Sequence, residues 1–181
     1  MGDKRGEIIM TILGIGNILQ KDDGLGVYAS TYLKKNYSYT QDISIINGGV
    51  EGINLYSIFE EDDKILVLDA IEIDDTPSSI YLIPSKELGG KGINSGGAHE
   101  IGVLECLDML ELQGKKLPKV DILGIVPAHV TFEIDLSSTL KEAFDGYINV
   151  VLNFLKKEGI EATLRDEIYS LEEIIFDVRK I

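Results

Sequence analysis

The sequence predicts an α/β fold in three layers, α/β/α, with a mostly parallel sheet of about five strands. Short apolar, β-branched runs alternate with segments in which apolar residues recur at helical spacing. Such near-continuous apolar runs are typical of parallel strands, which are buried on both faces. The length of 181 residues fits one domain over 1–181, with 158–181 as a C-terminal tail or helix.

The first half of the chain predicts three strands and two helices. The predicted strands cover 8–14, 43–47 and 65–68, and the predicted helices cover 24–35 and 51–59. The second strand ends at Gly48-Gly49, and the third ends at Asp69. Asp22 is placed to cap the start of the first helix.

The second half predicts two further strands and three helices. The strands cover 80–83 and 120–126, and the helices run from His99 to about Leu112, over 138–157 and around 170–178. Thr139 and Glu142 fit a capping box at the start of the longest helix. We favour a packed terminal helix over a docking tail, because apolar residues recur there at helical spacing.

The charge balance narrows the classes of partner. The chain has 31 acidic against 17 basic residues, a net charge of −14. Nucleic acids and anionic membranes need a basic surface, so neither is expected as a partner. The acidity either serves solubility or matches a basic partner surface. We expect a monomer.

The single cysteine and the N-terminal sequence predict a cytoplasmic protein. With only Cys106, an internal disulfide is impossible and a thiolate zinc site is implausible. Cys106 is flanked by leucines at helical spacing, so core packing is the favoured interpretation. The N-terminus shows neither a signal peptide nor a spanning helix. A reducing cytoplasm is the expected location.

Candidate chemical groups follow the predicted strands. Parallel strands bind ligands beyond their carboxyl ends, which brings Asp23, Asp69 and His99 toward one edge. If Asp22 caps the helix, the carboxylate of Asp23 is available for a role other than capping. Asp69 ends an apolar strand, where a carboxylate is costly unless it is paired or coordinated, although it can also cap a loop.

His99 opens a helix behind two glycines, and Asp/Asp/His is a plausible oxygen and nitrogen ligand set for nickel or zinc. A lone histidine is more often structural, and the His-x-x-x-His spacing of many zinc peptidases is absent. His129, in a loop after the last strand, is a weaker candidate for a substrate contact. A dinucleotide site is disfavoured because Leu19 replaces the third glycine and two aspartates would repel a pyrophosphate.

Four motifs stand out along the chain: the glycine and aspartate stretch Leu13 to Val27, the strand end Leu68-Asp69-Ala70, the segment Ser95 to Glu100, and Gly124 to Pro127 with Leu136-Ser137. Together they resemble the nickel–iron hydrogenase maturation endopeptidases. The resemblance covers roughly 8–157. The chain departs from the family's Asp-Gly-Gly-Thr at 47–50, which reads Asn-Gly-Gly-Val here.

The resemblance implies an endopeptidase that cuts once, removing the C-terminal extension of the hydrogenase large-subunit precursor after nickel insertion. It implies that Asp23, Asp69 and His99 bind nickel, with Asp23 and Asp69 as the catalytic carboxylates. The nickel is expected to come with the substrate, and the segment Gly89–Gly97 is expected to let His99 close on it.

Two questions stay open on the sequence. Nickel can act as a Lewis acid, or it can be only a recognition element while Asp23 or Asp69 acts as general base. The alternative function is a non-enzymatic, nickel-sensing chaperone of the precursor. No Ser-His-Asp or Cys-His set is evident, so covalent catalysis is disfavoured.

Overall fold

The computed structural model describes residues 10–87 and 98–180. In these ranges the strands are β1 (Met10–Ile15), β2 (Tyr37–Tyr39), β3 (Ile43–Gly49), β4 (Lys64–Ala70), β5 (Ile80–Pro84), β6 (Lys119–Ile125) and β7 (Ala162–Leu164). The α-helices are α1 (Leu25–Asn36), α2 (Tyr56–Glu61), α3 (Ala98–Leu112), α4 (Ser138–Lys157) and α5 (Leu171–Val178). Short 3-10 turns precede α1 and α2, at Lys21–Gly24 and Gly52–Leu55.

The main sheet has five strands within the described residues, in the order β3-β1-β4-β6-β5. The pairs β1–β3, β1–β4 and β4–β6 are parallel, and only β5 runs antiparallel, against β6. This confirms the predicted mostly parallel sheet of about five strands. The carboxyl ends of β1, β3, β4 and β6 therefore open on the same edge.

Two apolar cores sandwich the sheet and complete the three layers. One core joins the sheet to α1, α4 and α5, and the other joins it to α2 and α3. Along β4 the side chains alternate between them, with Leu66 in the first core and Val67 in the second. Within the described parts of the chain, no helix is long and apolar enough to cross a membrane.

The C-terminal helix α5 packs against the first core. Ile174, Ile175 and Val178 are buried there. Ser170 accepts the backbone N–H of Glu173, whose carboxylate accepts the N–H of Ser170, so the helix begins with a capping box. The prediction of a packed terminal helix is confirmed.

The start of α4 differs from the prediction. Ser137, rather than Thr139, is the N-cap residue, and its hydroxyl accepts the backbone N–H of Leu140 at 3.2 Å. Thr139 lies inside the first turn, so the predicted capping box with Glu142 is wrong. The shift by two residues arises because the carboxylate of Asp22 holds Ser137 in place.

The antiparallel ribbon of β2 and β7 was not predicted. Its strands have three residues each and pair Tyr37 with Leu164 and Tyr39 with Ala162. Such short segments show neither a run nor an alternation long enough to indicate a strand. The ribbon joins the end of α1 to the segment after α4.

Candidate functional site

The turn after β1 carries Asp23 to the carboxyl edge of the sheet. Gly16 has φ +138°, and a Cβ there would lie 2.0 Å from the carbonyl oxygen of Asp23. A Cβ on Gly26 would lie 2.1 Å from the carbonyl oxygen of Leu68. Glycine at both positions lets the turn and the start of α1 lie directly against the strand ends. This close approach fixes where Asp23 sits.

Asp23 and His99 form a carboxylate–imidazole pair. The Oδ2 atom of Asp23 lies 3.0 Å from Nε2 of His99 and also accepts the backbone N–H of Asn17 at 2.9 Å. Their side chains are 17% and 16% exposed, so both are reachable from solvent although largely enclosed. The structure therefore brings together two of the predicted site residues that are 76 positions apart in the sequence.

The pair stands at a cleft of about 250 Å³. Ile15, Leu55, Phe59 and Val103 give it an apolar lining, and Asn17, Gln20, Asp23 and His99 give it polar groups. The remaining lining comes from Gly49, Val50, Gly52 and Gly102. A partly apolar cleft with a few convergent polar groups is the usual form of a substrate site. An added Cβ would meet open space at Gly52 and only the Asn47 side chain at Gly49, whereas at Gly102 it would lie 2.9 Å from the Cα of Gly52.

Asp69 occupies a different environment. It is fully buried near the end of β4, on the same pleat face as Ile65 and Val67. Its carboxyl raises the pKa of Tyr147, after the larger effect of the burial of that phenol. Asp69 does not line the cleft. Among the described residues, no three His, Cys, Asp or Glu side chains form a group that could hold a metal ion.

The structure brings Asp23 and His99 of the expected three-ligand set into contact, whereas Asp69 is buried near the end of β4 and does not line the cleft. Asp69 shares the face of the sheet that carries α3, the helix of His99. Its role as a ligand or catalytic group stays a prediction.

Asp22 has a structural role, although not the predicted one. It does not cap α1, whose N-cap is Gly24 without a side-chain hydrogen bond. Its fully buried carboxylate accepts the backbone N–H groups of Ala128, His129 and Ser137 and the hydroxyl of Ser137. It thus places a negative charge at the start of α4, where the helix dipole favours it.

His129 and the segment 89–97 complete the predicted site residues. The side chain of His129 is exposed and, among the described residues, is not one of those that line the cleft. The segment Gly89–Gly97, expected to move with His99, lies outside the described residues. Asn17, whose backbone N–H orients Asp23, was not among the predicted site residues. Its position directly after Gly16 at a strand end could have indicated it.

Cys106 lies in the core between the sheet and α3 and is fully buried. Burial raises the pKa of its thiol to about 11, so the thiol stays protonated near neutral pH and is a poor nucleophile. Both observations agree with the predicted packing role.

We expect Cys106→Ala to retain full activity while the free energy of unfolding falls by about 1 kcal/mol, the size of a small buried truncation. Urea unfolding and a peptide-cleavage assay on the same preparation measure the two quantities. A variant that keeps the stability of the parent protein and cuts nothing would instead identify a thiol peptidase.

The sequence is similar to proteins that mature hydrogenases. The sequence profile of the family described as "Hydrogenase maturation protease" matches residues 27–154, more than half of the chain. The hydrogenase 2 maturation protease of Escherichia coli K12 is 26% identical over 159 residues, which cover 87% of this chain and 97% of that protein. The hydrogenase expression/formation protein HupD of Rhizobium leguminosarum bv. viciae is 27% identical over 158 residues, 86% of this chain and 78% of the relative.

The fold is similar to solved structures of the same kind. The hydrogenase maturating endopeptidase HybD from E. coli superposes with a TM-score of 0.78 at 25% identity, covering 87% of this chain and 98% of that chain. The [NiFe] hydrogenase maturation protease HybD from Thermococcus kodakarensis shares the fold, with a TM-score of 0.64 and coverage of 81% and 99% at 23% identity. From its sequence profile, its relatives and its fold, the chain belongs to the hydrogenase maturation protease family.

Proposed function

We propose that this chain removes the C-terminal extension of a hydrogenase large-subunit precursor by one cut after nickel has been inserted. The observation that carries the proposal is the contact between Asp23 and His99 in a cleft open to solvent. The E. coli relatives are named as a maturation protease and a maturating endopeptidase, which gives no support to a chaperone that only holds the precursor.

The donor set of the pair suits a divalent nickel ion. One carboxylate and one imidazole are oxygen and nitrogen ligands that nickel accepts, and both side chains are within reach of a docked protein. Two such donors without a thiolate make a weak site for a resident metal. This supports nickel as part of the substrate, held by the precursor before docking.

Asp23 is the better placed of the two carboxylates to act on a peptide. The Asn17 N–H and the His99 ring hold one of its oxygens, Oδ2, so the carboxylate is already oriented when a peptide enters. We propose that Asp23 accepts the proton of the attacking water, while His99 orients this carboxylate and adds a donor to the nickel. Bound nickel would supply polarisation of a carbonyl oxygen or of a water.

We further propose that the enzyme acts as a monomer in the cytoplasm. The single cysteine is buried and protonated, so the fold needs no oxidising compartment. The net charge of −14 opposes self-association between like surfaces and favours a basic face on the precursor.

The nickel dependence of cutting tests the proposal. We expect purified enzyme, with chelator present, to shorten a nickel-loaded precursor and to leave a nickel-free precursor intact. The physical reason is that Asp23 and His99 gain a metal contact only when the loaded precursor docks. Mass spectrometry of the precursor before and after incubation measures the cut.

Two results would contradict this gating. One is equal cutting of loaded and empty precursor in the presence of chelator. The other is one equivalent of nickel retained by the enzyme alone after dialysis, since it would show a resident metal. A loaded precursor that keeps its extension throughout would overturn the protease assignment for this substrate itself.

A further inference from the structure

A second depression adjoins the catalytic cleft at the carboxyl ends of β1 and β3. It encloses about 320 Å³ and shares Asn17, Gly49 and Val50 with the cleft. We call it the apolar groove, lined by Gly16, Asn17, Ile18, Leu19, Val27, Asn47, Gly49, Val50 and Val178. The shared residues make the two depressions neighbours on the surface, so a peptide bound in the cleft lies next to the groove.

The groove differs from the cleft in its chemistry. Five of its lining residues are aliphatic, and among the described residues no charged side chain lines it. Leu19 and Val50 are 43% and 61% exposed, so apolar surface faces solvent here on a chain of net charge −14. Burying an aliphatic side chain against such a surface is favourable, whereas a charged side chain would find no partner there and would lose its hydration.

One wall of the groove is formed by a single residue of α5, Val178, and this helix lies beyond the residues that match the family profile. Val178 at the end of this helix packs in the first core and borders the groove. The helix is tied to α1 by the Lys35–Asp177 ion pair, at 2.5 Å, and begins with the Ser170 capping box. The wall is therefore held by the fold and does not depend on the ligand.

We propose that the apolar groove is a specificity subsite that receives an aliphatic side chain of the precursor next to the cut bond. The inference rests on the proposed function, because it needs the bond to lie at Asp23 and His99. Successive residues of an extended peptide are about 3.3 Å apart with side chains on alternate sides. A side chain within one or two residues of the bond therefore reaches a depression that adjoins the cleft.

Leu19 is the residue to change, since its side chain is exposed and lines the groove without lining the cleft. Leu164, on the ribbon of β2 and β7, is a matched control with 51% exposure. The substrates are nickel-loaded precursors in which each of the two residues on either side of the bond is replaced in turn by Ala or Glu. The readout is kcat/KM from the mass of the product.

We expect Leu19→Ala to lower kcat/KM about tenfold on the natural precursor, the size of one lost apolar contact. For the precursor with Ala at one flanking position, Leu19→Ala should lower kcat/KM less than twofold, because the Ala side chain of that precursor no longer fills the groove. Leu164→Ala should leave all values unchanged. Leu19→Lys should raise cutting of the precursor with Glu at that same position, since an opposite charge would then line the groove.

The experiment distinguishes failure of the subsite from failure of the proposed function. If the parent enzyme cuts and both Leu19 variants keep its preference at every flanking position, the subsite is wrong and the proposed function stands. A uniform loss across all substrates would also overturn the subsite, since it would indicate a general defect. If the parent enzyme cuts no loaded precursor, the proposed function fails, and the subsite fails with it.

Discussion

Replacing Asp23 by asparagine, or His99 by alanine, should abolish processing while leaving the free energy of unfolding close to that of the parent protein. The amide in Asp23→Asn is nearly the same size as the carboxylate but lacks the basicity that accepts a proton, and general base catalysis contributes about 10²–10⁴-fold. The His99→Ala change removes the imidazole that lies 3.0 Å from the carboxylate. Both side chains touch solvent, so neither change leaves a large cavity.

The two histidines of the chain provide a matched control. His129 is exposed, and its contact with Asp22 uses the backbone N–H rather than the ring. His129→Ala should therefore cut loaded precursor at the parental rate, whereas His99→Ala should show no product over the same period. Product mass and urea unfolding of each variant give both quantities. An active His99→Ala variant would remove the pair from the mechanism.

The sheet and its helices could be predicted because their signals are local. The apolar runs of β1, β4 and β6 and the helical spacing of α4 place those elements to within one or two residues. The local sequence does not indicate that β5 is antiparallel, because a run of apolar residues has the same pattern in both chain directions. The chain direction of a strand depends on the connection to its partner.

The site could be predicted only in part, for the same reason. Asp23 follows β1, so the parallel topology carries it to the carboxyl edge of the sheet. His99 follows β5, which runs antiparallel, so strand direction does not predict its place, although the structure puts its ring in contact with Asp23. The apolar run before Asp69 indicates its burial, but its absence from the lining of the cleft depends on packing between distant elements, which the order of residues does not reveal. The structural role of Asp22 could not be predicted either, because its hydrogen-bond partners lie between 106 and 115 residues away in the sequence.

The adjacent aspartates should show opposite behaviour on mutation. We expect Asp22→Ala to lower the free energy of unfolding by about 3–5 kcal/mol, because each buried donor left without an acceptor costs about 1–3 kcal/mol and some donors relax toward water. The carboxylate is fully buried and accepts four hydrogen bonds, at 2.6–2.9 Å. Urea unfolding at neutral pH measures the loss.

Asp23→Ala is the control for this change, since it alters the next residue by the same truncation. It should shift the unfolding midpoint little and remove activity, whereas Asp22→Ala should shift the midpoint strongly. Ser137→Ala should fall between, with a loss of about 1 kcal/mol for an N-cap, because the Ser137 backbone N–H still reaches Asp22. Equal midpoints for Asp22→Ala and the parent protein would show that the loop at 128–137 and the start of α4 do not depend on this carboxylate.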